Sequence, residues 1–213
     1  MFFESNHIYH IYNQGNNHIK IFFNRQNYLF FLKKIHEYIS PYGDVLAWCL
    51  MPNHFHLMVH VKTVEIDIDK SEAFTKGNPA HSEGFTKHTR TLNNSIGILL
   101  RAYTRAVNNQ QKRSGSIYRR ATKAECITKS DEIANAFLNT AEGGSLIHQI
   151  FEKEYLQTCF NYIHNNPVKA GLSQNPGDWE FSSYLDYCGL RKGTLVNPIR
   201  AKEFGLRKVK PSL

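Results

Sequence analysis

"LMPNHFHLMVHV", residues 50–61, sets two histidines one residue apart inside an otherwise apolar run. Leu57, Met58 and Val59 follow the pair directly, so the stretch reads as a strand rather than a polar loop. Side chains two apart on a strand share a face, so His54 and His56 project together while Phe55 points to the opposite side. The preceding "DVLAWCLM", residues 44–51, reads as a second strand joined to the first around Pro52-Asn53.

The segments outside this hairpin alternate in type. "HIYHIYNQG", residues 7–15, has strand periodicity, with Ile8, His10 and Tyr12 on one face and Tyr9, Ile11 and Asn13 on the other. Asn24 is placed to cap a helix whose apolar positions are Tyr28, Phe31, Leu32, Ile35 and Ile39, and which stops near Ser40-Pro41. Ile96, Leu99, Leu100, Tyr103 and Val107 make one apolar face of another helix. "EYLQTCFNYIHNNPVKAGL", residues 154–172, reads as a further helix ending where Asn166 meets Pro167. The order strand, helix, strand, strand, helix fits an α+β sandwich, helices laid on an antiparallel sheet.

Two stretches break the pattern. In residues 63–90, Glu72-Ala73-Phe74-Thr75-Lys76 returns as Glu83-Gly84-Phe85-Thr86-Lys87, with no sustained amphipathic period; this reads as a mobile insertion. Residues 128–153 read as a second insertion, carrying a short helix at "DEIANAFLN". A basic C-terminal tail runs from about residue 191 and holds Arg200, Lys202, Arg207, Lys208 and Lys210. The whole, residues 1–213, is expected to be a single domain.

The chain carries a net charge of +8, an excess that favours a polyanionic partner, nucleic acid first and an anionic membrane surface second. Its four cysteines are scattered without a CxxC pair, which argues against a thiolate zinc site and fits a reduced cytoplasmic protein. No apolar run approaches membrane-spanning length.

Two imidazoles side by side on a strand are a bidentate start for a divalent metal, although an HxH pair alone equally describes packed, half-buried histidines. Tyr103 lies on the apolar stripe of its helix, which reads as a packing position unless the helix brings it to the histidines as a nucleophile. Around it the charges are uniformly positive: Arg101, Arg105, Lys112, Arg113, Arg119, Arg120 and Lys123, with no acidic residue from Asn93 to Ala124. Such a run is either a solvated face or a phosphate-binding surface, where Ser114-Gly115-Ser116 admits a phosphate and Tyr118 stacks on a base. A hydrolase of small phosphoesters would need acidic ligands near the histidines, and none occurs from Leu46 to Lys62.

"YHIYNQGNN" (9–17), "WCLMPNHFHLMV" (48–59), "YTRAVNNQQKRSGSIYRR" (103–120), "YIHNNPVKAGL" (162–172) and "DWEFSSYLDY" (178–187) together, and in this order, resemble the single-tyrosine HUH transposases, specifically the REP-associated tyrosine transposase branch. That resemblance implies a ferredoxin-like or RRM-like antiparallel sheet, Mg²⁺ or Mn²⁺ on His54 and His56, and Tyr103 as the nucleophile. It also implies cleavage and rejoining of single-stranded DNA near hairpins through a 5′-phosphotyrosine link, by a cytoplasmic monomer or homodimer. The family's further ligand, one turn after the tyrosine, falls on Val107, which cannot coordinate; Asn108 is the nearest alternative. This departure supports a second expectation, a domesticated protein that binds DNA hairpins without chemistry.

Overall fold

A computed structural model describes residues 1–68, 88–128 and 152–207, together with the backbone at 137–138 and 145–146. The strands are β1 (Ile8–Gln14), β2 (Gly43–Met51), β3 (His54–Val61), β4 (Glu65–Asp67), β5 (Thr89–Thr91), β6 (Lys123–Cys126), β7 (Phe137–Leu138) and β8 (Ser145–Leu146). The α-helices are α1 (Arg25–Tyr38), α2 (Leu92–Gln110), α3 (Glu152–Lys169), α4 (Tyr184–Tyr187) and α5 (Pro198–Glu203).

The main sheet has the order β2-β3-β1-β6, with every neighbouring pair antiparallel. With α1 after β1 and α2 between β3 and β6, this is a ferredoxin-like α+β arrangement. The local signals explain its elements. Asn24 caps α1 by accepting from the Asn27 amide, and the Asn27 side chain returns the bond to the Asn24 backbone. Thr91 caps α2 through the Asn94 amide. Gly43 opens β2 where a Cβ would lie 2.0 Å from the His60 carbonyl oxygen, so only glycine lets the two strands approach.

Each face of the sheet has its own core. Tyr9, Ile11, Trp48, Leu50, Phe55, Leu57 and Val59 meet Phe31 and Ile35 of α1 and Ile96, Leu99, Tyr103 and Val107 of α2. Ile8, Leu46, Cys49, Met51 and Met58 face the other way, onto Leu156, Cys159, Phe160 and Ile163 of α3. The sheet is thus covered on both sides, which explains why β3 is buried along nearly its whole length.

This layering decides the position of Tyr103. Its ring is fully buried among Phe22, Phe31 and Phe30, and its hydroxyl donates to the Ile21 carbonyl at 2.8 Å. Tyr118 lies beside it, 4% exposed, with Phe55 against its ring. Of the two sequence readings for Tyr103, packing against the sheet is the one this arrangement realises.

Three other expectations differ from the structure. The third long helix does not end at Asn166 but runs through Pro167 to Lys169. Proline removes only its own amide donor there, and Ala170 resumes the bonding to the Asn166 carbonyl, so the last turn survives. Phe137 and Leu138, placed by sequence in a short helix, form a strand with Ser145 and Leu146; the rest of that expected helix lies outside the described residues. The expected insertion at 63–90 is bracketed by the paired strands β4 and β5, with residues 69–87 outside those described. In the tail, Arg200 is tied to Asp44 and Glu203, which fastens α5 to the end of β2. No helix among the described residues is long and apolar enough to cross a membrane.

The free edge of β2 is closed by the segment around Ser182 and Ser183. Leu50 donates to the Phe181 carbonyl, Ser183 donates to the Trp48 carbonyl, and the Trp48 amide donates to the Ser183 hydroxyl. His164 of α3 joins this knot, with Nε2 2.8 Å from the Ser183 hydroxyl. Its ring is fully buried, and burial lowers its pKa from 6.5 to about 3.

Two outcomes are expected. Tyr103→Phe strands the buried Ile21 carbonyl and should lower unfolding free energy by about 1–2 kcal/mol in urea titration, with the fold intact. The unfolded His164 takes up a proton below its ordinary pKa, which the folded ring refuses until about pH 3. Its contribution to stability is therefore complete above pH 6.5 and lost as pH falls across that window. The slope is at most about 1.4 kcal/mol per pH unit, and His164→Gln should remove one proton's worth of it.

Candidate functional site

The face of the sheet turned away from Tyr103 carries a run of polar side chains. His54 and His56 of β3 stand there with His10 and Tyr12 of β1, because Tyr12 pairs directly with His56 and paired residues share a face. On the other side of β1, Glu125 pairs with His10 and Lys123 with Tyr12, so β6 adds a carboxylate and an ammonium to the same face. The α3 helix closes over them. Tyr162 and Asn166 sit one turn apart on its inner stripe, and the Tyr162 ring is 5.3 Å from His56 and 6.1 Å from His10, centroid to centroid.

Asn166 is the meeting point. His54 Nε2 lies 3.1 Å from its Oδ1, and His56 Nε2 lies 3.3 Å from its Nδ2. The far side of each imidazole is also held: His54 Nδ1 is 2.6 Å from Asn53 Oδ1, and His56 Nδ1 is 2.9 Å from His10 Nε2. Burial drives the His54 and His56 pKa values down, that of His56 well down, and it takes His10 to about 3. All three rings are therefore neutral near pH 7, the form that can offer a lone pair.

Asn53 Oδ1 can only accept, so the His54 proton belongs on Nδ1 and its Nε2 presents a lone pair to Asn166 Oδ1. Two acceptors facing each other at that distance call for a positive charge between or beside them. A half-turn of the amide, with His56 as the Nε2–H donor, closes the network without one. The donor set, two neutral imidazoles and an amide oxygen, thus fits a divalent cation that keeps open positions for oxygen ligands. Among the described residues no group of three or more His, Cys, Asp or Glu side chains has metal-binding geometry; the third donor here is an amide.

Tyr12 is half-buried on this face. Its ring is 4.8 Å from His10 and 5.7 Å from His56, and its hydroxyl donates to Glu125 at 2.5 Å. Burial, then the Glu125 contact, raises its pKa. The Lys169 ammonium lies 5.2 Å from the centre of the Tyr162 ring, at the rim of the same face.

Of the residues singled out from sequence, the structure brings together His54 and His56, with Lys123 nearby on the same face. It does not bring Tyr103 to them: the whole sheet intervenes, since Tyr103 packs on the Phe55 side. Nor does it bring Asn108, which sits on the helix covering that other side and donates to the Gly115 carbonyl to close the turn after α2. Tyr118, expected to stack on bases, is enclosed in the core and not presented to solvent. Arg101 and Arg120 line one groove of about 330 Å³ with Asn93, Asn94 and Thr122. Arg119 leans on His18, with Nη2 3.2 Å from His18 Nε2. Arg105 and Lys112 are exposed on α2 and just past its end, and Arg113 is half-buried.

His10, Tyr12, Glu125, Tyr162 and Asn166 were not singled out from sequence. The alternation of β1 already put His10 and Tyr12 on a common face. Asn166 carried a signal too: it continues the spacing of Tyr155, Cys159 and Tyr162 on α3, so an amide occupies a position of the buried stripe.

Protein-family models give no match to this chain, and no curated protein matches it. A solved structure of a REP-associated tyrosine transposase bound to a REP hairpin is similar over 92% of this chain and 92% of that one, with a TM-score of 0.52 and 15% sequence identity. At that identity the likeness establishes a shared fold: a four-stranded antiparallel sheet with helices packed on it.

Proposed function

We propose that this chain is a transposase-like protein that binds single-stranded DNA beside hairpins and cleaves and rejoins it on the histidine face. The observation that carries the reading is the convergence of His54 Nε2 and His56 Nε2 on the Asn166 amide. Packing alone gives no reason to spend buried polar side chains at such a point, because each must be hydrogen-bonded or coordinated to avoid a desolvation cost. The solved hairpin complex of the same fold and the motifs at 9–17, 48–59 and 162–172 point the same way.

His54, His56 and Asn166 would hold Mg²⁺ or Mn²⁺, and the ion, when bound, would supply Lewis-acid polarisation of a phosphate oxygen. The protein's own contribution is positional. His10 and Asn53 fix the two ring orientations from behind, α3 shields the site from water, and Lys123 and Lys169 set positive charge at its rim. Arg101 and Arg120, which share a groove with Thr122, would track the backbone of a bound strand together with Arg105, Lys112, Arg113 and Arg119. The protein would act in the cytoplasm, as a monomer or homodimer.

A second reading is a hairpin-binding protein without strand chemistry. The burial of Tyr103 on the far face favours it, since the tyrosine that the motifs nominate is out of reach of the histidines.

Mn²⁺ titration by calorimetry should show one site that disappears in the His54→Ala, His56→Ala double variant and weakens about tenfold or more in Asn166→Ala. Unchanged Mn²⁺ affinity in the double variant would remove the metal assignment. Hairpin binding should weaken steeply with salt, and each of Arg119→Ala and Lys123→Ala should lower the slope of log K against log salt by about 1. On a denaturing gel, single-stranded DNA flanking a hairpin should shift with Mn²⁺ or Mg²⁺ and stay unshifted with chelator. Binding without a shift in any divalent cation would establish the second reading.

A further inference from the structure

The end of the histidine face beside His54 carries a second polar cluster, built on the loop that follows β1. Gln14 pairs with His54 across the β1–β3 ladder, so its side chain shares the face on which His54 stands. Beyond it, Asn17 and His18 both take left-handed backbone conformations, at φ 49° and 58°, which are uncommon outside glycine. This turn returns the exposed His18 ring to Gln14, with Nδ1 2.9 Å from the Gln14 amide nitrogen. The other ring nitrogen, Nε2, lies 3.2 Å from Nη2 of the exposed Arg119. The His18 carbonyl accepts from Asn53 Nδ2, and the Oδ1 of the same Asn53 holds His54, so the loop is tied to one of the two paired imidazoles. Burial is the main cause of the lowered His54 pKa, and the nearby His18 lowers it further.

Gln14 Nε2 can only donate, so the proton of a neutral His18 belongs on its own Nε2. There it meets Arg119, whose guanidinium can also only donate. Two donors facing each other call for a negative charge beside them, the mirror of the two acceptors at Asn166. A half-turn of the Gln14 amide settles the ring without one, but it leaves the guanidinium charge unanswered. Among the described residues no carboxylate pairs with Arg119.

We propose that His18, Arg119 and Gln14 form a subsite for one backbone phosphate of the bound strand, next to the phosphate held at His54 and His56. The proposal rests on the reading that single-stranded DNA lies on the histidine face. The phosphate oxygens accept from His18 Nε2 and from the Arg119 guanidinium, charge-assisted bonds that are stronger than neutral ones. Gln14 keeps the ring turned toward them. Such a contact carries no sequence information; it sets the register of the strand, and so decides which bond reaches the histidines. His18 is thus a positioning residue that touches the strand without taking part in bond making.

The test scans the full chain against a labelled hairpin with a single-stranded flank, in which one phosphate at a time is replaced by an uncharged methylphosphonate. In the native chain one flank position should lose about tenfold or more in affinity. The same replacement should cost less than about threefold in His18→Asn, which tolerates the left-handed backbone, and in Arg119→Ala, because a partner of that phosphate is already gone. Mn²⁺ affinity, measured by calorimetry, should stay within about twofold in His18→Asn. A larger fall means that His18 acts only by steadying His54, and overturns the subsite. Even losses along the flank, the same in native chain and variants, mean diffuse charge and overturn it too, while the DNA-binding reading stands. Where the strand is cleaved, the coupled phosphate should adjoin the cleaved bond, and coupling farther off overturns the placement beside His54. A chain that binds no such hairpin overturns both the subsite and the reading beneath it.

Discussion

The two-residue repeat of β3 governs the whole molecule. Phe55 must enter the aromatic core under α1 and α2 for its histidine neighbours to lie under α3, and a one-residue slip would exchange them. Such a slip would set neutral imidazoles against Phe31 and a phenyl ring against Asn166. Register is held at several points: the ladder from Ile8–His60 to Gln14–His54, the bulge between Val45 and Ala47, and the tight approach at Gly43. A sheet buried on both faces has no neutral alternative, so the same constraint that makes the core positions the polar cluster.

Burial and function are coupled within that cluster. Water is excluded by α3, and exclusion lowers the proton affinity of His10, His54 and His56. Three rings in a row would repel one another if charged; kept neutral, they form a chain in which His10 steadies His56 and both Nε2 atoms of the pair are turned to the Asn166 amide. The polar groups form a connected network rather than isolated defects, which limits the cost of burying them.

Much of this was legible in the sequence, up to a definite boundary. The periodicities gave β1, α1, β2, β3 and α2 and the face that each buries, because those signals are local. The order of elements gave the α+β class. What stayed hidden was which helix covers which face. Tyr103 sits correctly on the inner stripe of α2, but the stripe faces Phe55, and only the long-range crossover decides that. The same limit concealed Asn166: its helix position was readable, its pairing with two histidines more than a hundred residues earlier was not. Tyr118 illustrates a different limit, since an aromatic in a basic run looks like a base-stacking platform until tertiary packing encloses it.

The small ribbon of β4 and β5 has a consequence for how this chain can change over generations. Glu65 lies opposite Thr91 and Asp67 opposite Thr89, so the two ends of the intervening segment are already held side by side by the fold. The entropy of closing a connection grows only with the logarithm of its length, about 0.6 kcal/mol for each doubling. Duplication at that point is therefore nearly neutral for stability, and the near-identical Glu72–Lys76 and Glu83–Lys87 stretches have the form such an event leaves. Because the ribbon holds both ends of that segment, a longer connection there leaves the register of the main sheet and its histidine face unchanged.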